Sequence, residues 1–293
     1  MRWTPGQRSG NLEDRRGQSG GGGGFNLGGG TGKLGCGGIL FLLVLSIVFK
    51  QDFFQLVGGA AGTGDAGYTA PAPGSGEPVQ STPEEEKQVD FISFVLDDVQ
   101  NTWKQAFPGL GESYSPTTLV LFRDSTRTAC GYGDSATGPF YCPGDQKVYI
   151  DLAFYDELDR RFGAPGDFAQ AYVLAHEIGH HVQNVLGIER QVRSAMQQRP
   201  RAANQLSVAL ELQADCLAGV WAHSAAQRGK LETGDVEEGL AAASAVGDDR
   251  MQKQATGRVN PDSFTHGSAV ERANWFRRGL QSGDMKSCDT FGG

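Results

Sequence analysis

The chain has 293 residues, 39% of them apolar and 20% charged, a composition that supports a hydrophobic core and excludes a wholly disordered polypeptide. Its formal net charge of −8 argues against nucleic acid as a partner, because phosphate binding needs a basic surface. That charge is split: residues 1–35 hold Arg2, Arg8, Arg15, Arg16 and Lys33 against Glu13 and Asp14, a surplus of three positive charges, so the remainder carries −11.

Many of the 43 glycines lie before residue 80, which marks residues 1–35 as a basic, Gly-rich segment separate from the folded part. From Cys36 to Phe49 the chain runs CGGILFLLVLSIVF, and with the broken apolar stretch to residue 57 it approaches the roughly 20 residues of a bilayer-spanning helix. A cleaved signal peptide is the competing reading, but 33 residues before the apolar run make a long n-region. A single transmembrane anchor at 36–57 is therefore expected. The basic flank then places the N-terminus in the cytoplasm and exports everything after the anchor. Residues 58–80 are Gly, Ala, Pro, Ser and Thr with almost no large apolar side chain, the composition of a flexible linker.

A catalytic domain over 81–293 is expected next. Thr82-Pro83-Glu84-Glu85 is a helix opening, with Thr82 as N-cap, Pro83 at the first helical position and Glu85 placed to close a capping box; the helix should reach about Phe107. Thr117–Phe122 and Val148–Asp151 are β-prone, with a hairpin expected over Thr128–Cys142 between them. Val148–Asp151 could serve as the edge strand on which an extended peptide lies. Beyond Asp151 the pattern is helical almost throughout, so the fold class is α+β, mainly helical with a small antiparallel sheet. Four of the five cysteines follow the anchor, an even number that suits an exported, disulfide-bonded domain. Cys130 can close a short loop onto Cys142, leaving Cys216 for Cys288; buried free thiols are the alternative.

His176-Glu177-Ile178-Gly179-His180 matches H-E-x-x-H. On an α-helix a step of four residues turns about 40° beyond a full circle and rises about 6 Å, so both imidazoles project from one face and can reach one ion. Glu177, rotated by about 100° from His176, is placed to take a proton from a water beside that ion rather than to bind it. The helix signals are present: Asp167 as N-cap, Gly187 as stop, and Phe168, Ala171, Tyr172, Ala175, Ile178 and Val182 along one side. His181 points away from His180 and is assigned no ligand role.

A catalytic zinc takes three protein ligands. The metzincin continuation fails, because Gln183 and Leu186 stand where Gly and His are required. A second helix, expected from about Asn204 to Gln227, carries Glu211 and Asp215 on one face; Glu211 suits the third ligand, and Asp215 suits an acceptor for the far nitrogen of a ligating histidine. His223, about 18 Å further along that helix, cannot share the ion.

With these motifs the chain resembles the bacterial family of "putative neutral zinc metallopeptidases". The resemblance rests on Arg2-Trp3, residues 11–17, His176–Gln183 (HEIGHHVQ), Glu211–Cys216 (ELQADC), Gly247-Asp248-Asp249 and Asp262–Gly267 (DSFTHG), in order over nearly the whole chain. It implies a zincin-like fold of the gluzincin type, a single retained N-terminal anchor and Zn²⁺ held by His176, His180 and Glu211. The expected activity is zinc-dependent endopeptidase hydrolysis of peptides or proteins, with Glu177 as general base and His266 as a catalytic donor to the developing oxyanion. A deformylase-like hydrolase would want an upstream cysteine ligand, against the ELQAD stretch. A catalytically silent, zinc-stabilised module tethered to the membrane is the remaining alternative.

Overall fold

In the computed structural model, which describes residues 1–18 and 79–292, the helix opening at Thr82 forms as its residues dictate. Helix α1 spans Pro83–Ala106, and Thr82 Oγ1 accepts the Glu85 N–H. The reciprocal bond of the capping box is not made. The Glu85 carboxylate is drawn instead to the guanidinium groups of Arg16 and Arg123, because charge-assisted bonds are stronger than a bond to a neutral amide. Val89, Ile92, Val95, Leu96, Val99 and Trp103, spaced by three and four residues, give α1 its fully buried face.

The strands are β1 (Leu12–Asp14), β2 (Thr118–Phe122), β3 (Ser125–Thr128), β4 (Gly131–Asp134), β5 (Phe140–Cys142) and β6 (Lys147–Asp151). Four of them form a sheet in the order β1-β2-β6-β5, while β3 and β4 pair separately. The main sheet is not the small antiparallel one expected: β1 runs parallel to β2 and β2 to β6, and only β5 is antiparallel. The expected hairpin is displaced to β3–β4, which frees Phe140–Cys142 to pair with β6. Val148–Asp151 therefore lies inside the sheet, and β5 is the edge on that side among the described residues. Alternation along the strands covers both faces. Leu119, Leu121, Val148 and Ile150 join the main helical core, whereas Val120, Phe122 and Tyr149 pack with Cys142 and Phe140 on the other face.

The remaining helices are α2 (Ala153–Arg160), α3 (Asp167–Val185), α4 (Ile188–Gln198), α5 (Ala203–Gln227), α6 (Asp235–Ala245), α7 (Asp248–Thr256) and α8 (Ala269–Ser282). Helix α3 is central, touching α1, α5, α6, β5 and β6. Gly166 rather than Asp167 takes its N-cap position, and the chain turns left-handed at Gly187 (φ 73°) just past its end. Helices α5 and α8 approach through glycines: a Cβ on Gly219 would strike the Phe276 carbonyl, and one on Gly279 the Cys216 carbonyl. Disulfides join Cys130 to Cys142 and Cys216 to Cys288.

The N-terminal segment corrects the expected location and topology. Beyond the pairing of β1 with β2, Arg8 bonds Glu86 and Asp90, Ser9 bonds Ser93 and Asp97, and Trp3 packs edge-on against Phe91. Arg16, with its side chain 1% exposed, is held by Asp14, Glu85 and Glu86. Residues 1–18 and the histidine-bearing helix thus share one fold, and a cytoplasmic N-terminus with an exported catalytic domain across a single span cannot be built from it. Among the described residues no helix is long and apolar enough to cross a membrane. The run at 36–57 and nearly all of the expected linker at 58–80 lie outside the described residues.

Because buried Arg16 bonds three carboxylates at the seam between the N-terminal segment and α1, Arg16→Leu should cost about 3 kcal/mol of stability. Denaturant unfolding of the full chain measures it. An unchanged midpoint would contradict the integration of this segment into the fold.

Candidate metal centre

The apolar stripe of α3 buries the helix so deeply that His176 and Glu177 are themselves buried, at 6% and 8% exposure. His176 Nε2 and His180 Nε2 stand 3.2 Å apart, one turn apart on the helix as their spacing requires. Helix α5 crosses at Gly179, where a Cβ would lie 3.1 Å from the Ala214 carbonyl oxygen. That close crossing delivers Glu211: its Oε2 is 3.2 Å from His176 Nε2 and its Oε1 is 3.5 Å from His180 Nε2. One donor atom from each of the three residues falls within 4.8 Å of the others.

The outer nitrogens of both rings face acceptors. His176 Nδ1 donates to Asp215 Oδ1 at 2.8 Å, and His180 Nδ1 donates to Gln183 Oε1 at 2.8 Å. With hydrogens on Nδ1, both Nε2 lone pairs point inward, and two imidazoles plus one carboxylate are the donor set of a zinc site. Asp215 is fully buried. It also accepts the Tyr172 hydroxyl and two bonds from Arg272, Nε to Oδ2 at 2.8 Å and Nη2 to Oδ1 at 2.9 Å. Burial would raise its pKa, but the Arg272 guanidinium and His176 hold it below the usual carboxylate range.

Glu177 follows His176 directly in sequence, and its carboxylate has no hydrogen-bond partner among the described residues. His266 sits on the loop between α7 and α8 and is partly exposed. Its Nδ1 is 3.2 Å from Asp248 Oδ1, while Asp248 Oδ2 accepts the backbone N–H groups of Thr265, His266 and Gly267. Burial opposes the charged form of His266, yet the Glu211 and Asp248 carboxylates outweigh it and raise its pKa. His181 is buried, donating from Nε2 to the Ser115 carbonyl and accepting the Tyr141 hydroxyl at Nδ1. His223 bonds the Leu280 carbonyl. Neither joins the donor cluster. Arg272, Tyr172, Gln183 and Asp248 were given no role at the site by the sequence; of these, only Gln183 and Asp248 fell in the quoted motif segments, HEIGHHVQ and Gly247-Asp248-Asp249.

The donors also set a pH dependence. Burial disfavours a charged His176, but Asp215 and Glu211 outweigh it and lift its pKa from 6.5 to about 9. Glu211 moves the other way: burial opposes its charge, and His180, His266 and His176 hold it well below the usual range. In chelator-treated protein, the His176 contribution is complete below about pH 6.5 and is lost as pH rises through about 9. The Glu211 and Asp215 contributions are complete above about pH 4.5 and are lost in more acidic solution. With His176 as a candidate ligand, metal binding would displace its proton, so zinc affinity should rise with pH. The thermal midpoint of metal-free protein should therefore fall from pH 6.5 to pH 9 while zinc affinity increases. A flat affinity over that range would contradict the geometry.

The profile of the family described as "Putative neutral zinc metallopeptidase" matches residues 1–291. The chain is 50% identical over 301 aligned positions to the Escherichia coli K12 protein named "Uncharacterized protein YpfJ", covering 100% of this chain and 99% of that one. It is 46% identical over 204 positions to the Mycobacterium tuberculosis H37Rv protein named "Uncharacterized protein Rv2575", covering 66% and 67% of the two chains. No solved structure matches. With two inward-facing histidines, a converging glutamate and a family profile over nearly its full length, the chain belongs to the "putative neutral zinc metallopeptidase" family, whose cofactor is Zn²⁺.

Proposed function

We propose that the protein hydrolyses peptide bonds in peptide or protein substrates, with zinc held by His176, His180 and Glu211 and with Glu177 as general base. The observation that carries this reading is the convergence of the three donors within 4.8 Å, with both outer histidine nitrogens engaged elsewhere. Zinc, when bound, supplies Lewis acidity to a water and to a scissile carbonyl.

The chain's own groups handle the substrate and the protons. Glu177, one residue from His176 and without a hydrogen-bond partner among the described residues, takes the proton of the attacking water and passes it to the leaving amine. His266, with Nδ1 committed to Asp248, offers a hydrogen from Nε2 only as the imidazolium. The Glu211 and Asp248 carboxylates favour that form against burial, and it would donate to charge developing on the carbonyl oxygen. The outer edge of β5 suits an extended substrate backbone. Tyr141 ties that edge to α3, donating to His181 Nδ1 at 3.0 Å and accepting from Asn184 Nδ2 at 2.9 Å.

Two substitutions separate binding from chemistry. Glu211→Ala leaves two histidines and should abolish stoichiometric zinc binding by the full chain. Glu177→Gln should retain zinc while peptide hydrolysis falls by about 10² to 10⁴. Zinc retained in the first, or wild-type cleavage in the second, would sink the assignment. A wild-type protein that binds zinc but cleaves no member of a peptide library would favour the silent module instead.

A further inference from the structure

The acceptor on His180 differs in kind from that on His176. Asp215 is an anion and can only accept, so it fixes the His176 tautomer by itself. Gln183 is an amide, and a free amide turns either its oxygen or its nitrogen to the ring with little preference. Its orientation must come from elsewhere. Gln183 is fully buried. Its Nε2 donates to the Leu210 carbonyl at 2.7 Å and to Gln213 Oε1 at 3.0 Å. Gln213 in turn donates from Nε2 to the Cys288 carbonyl at 3.0 Å.

We infer that Gln183 and Gln213 form a directional hydrogen-bond relay that sets the tautomer of His180 and so aims its Nε2 lone pair at the metal. Backbone carbonyls can only accept. The Cys288 carbonyl therefore fixes Nε2 of Gln213 at its end, which turns Oε1 of Gln213 toward Gln183. The Leu210 carbonyl and that oxygen both require Nε2 of Gln183, which turns Oε1 of Gln183 toward His180. The oxygen demands a hydrogen on Nδ1, and the neutral ring then has its lone pair on Nε2. Reversing any member would set donor against donor or acceptor against acceptor in a buried site, each mismatch leaving an unmet polar group. The end of the relay is anchored, because Cys288 is bonded to Cys216, the residue after Asp215. Gln183 and Gln213 are thus positioning residues, and Gln213 acts without touching a metal ligand.

This inference rests on His180 as a zinc ligand, and the test separates the two. The full chain is loaded with zinc alone, and NMR follows the histidine ring signals and the solvent exchange of the His180 Nδ1 proton. A competing chelator gives the zinc Kd. Wild type should show zinc-induced shifts at His180 and a slowly exchanging Nδ1 proton. In Gln213→Leu that proton should exchange at least about ten-fold faster, and the zinc Kd should rise about 10- to 100-fold. Unchanged exchange and Kd in the variant, with zinc still on His180, would overturn the relay alone. Absence of any zinc-induced change at His180 in wild type would overturn the ligand assignment and the relay with it. Should the variant fail to fold, wild type still decides: a His180 Nδ1 proton exchanging as fast as an exposed ring, or zinc on Nδ1, refutes the relay.

Discussion

The site depends on one buried anion. Asp215 has no exposure, and an isolated carboxylate there would cost several kcal/mol in lost hydration or would take up a proton. Arg272 offsets this with a two-point contact, and Tyr172 and His176 occupy the remaining acceptor positions. The four side chains come from α3, α5 and α8, so the same contact that orients a histidine also locks three helices together. Removing one partner would therefore disturb both the packing and the proposed metal ligands. Because Asp215 and Arg272 neutralise each other, Glu211 remains as the anion among the proposed ligands.

The helices reach this arrangement through small residues and caps. Gly179 lets α5 approach the histidine-bearing turn, and the pairing of Gly219 with Gly279 lets α8 close on α5. Ser268 and Glu271 cap α8 reciprocally and so fix the turn that delivers Arg272. Asp248 gathers three successive backbone amides of the Thr265–Gly267 loop, fixing the backbone that carries His266. On the far side of the sheet, the N-terminal segment fastens β2 and α1 by strand pairing and ion pairs. Two supporting systems therefore converge on α3, one polar and around the donors, the other structural and around the sheet.

Local chemistry was legible in the sequence, and distant pairing was not. His176, Glu177 and His180 lie within five residues on a periodic helix, and Glu211 and Asp215 share a face by spacing, so helix geometry alone grouped them. Cysteine parity suggested the two bridges. The β1 strand has three residues and no apolar alternation, and its partner lies about a hundred residues on, so nothing local announced it. Its absence from the reading also misdirected the topology. Arg8 and Arg16 were counted as a basic flank beside an apolar run, yet their charges are spent on Glu85, Glu86 and Asp90 within the fold. Parallel pairing of β2 with β6 was hidden for the same reason, since strand direction depends on contacts the intervening hairpin obscures. Arg272, Gln183 and Gln213 act across helices, where spacing along the chain carries no signal.

The central claim is that zinc is held by two imidazoles and one carboxylate from His176, His180 and Glu211. X-ray absorption at the zinc edge on the full chain tests it most directly. The account predicts only nitrogen and oxygen scatterers at about 2.0–2.2 Å, with the multiple-scattering signature of two imidazole rings. A sulfur shell at about 2.3 Å, or a signature requiring a third imidazole, would contradict it.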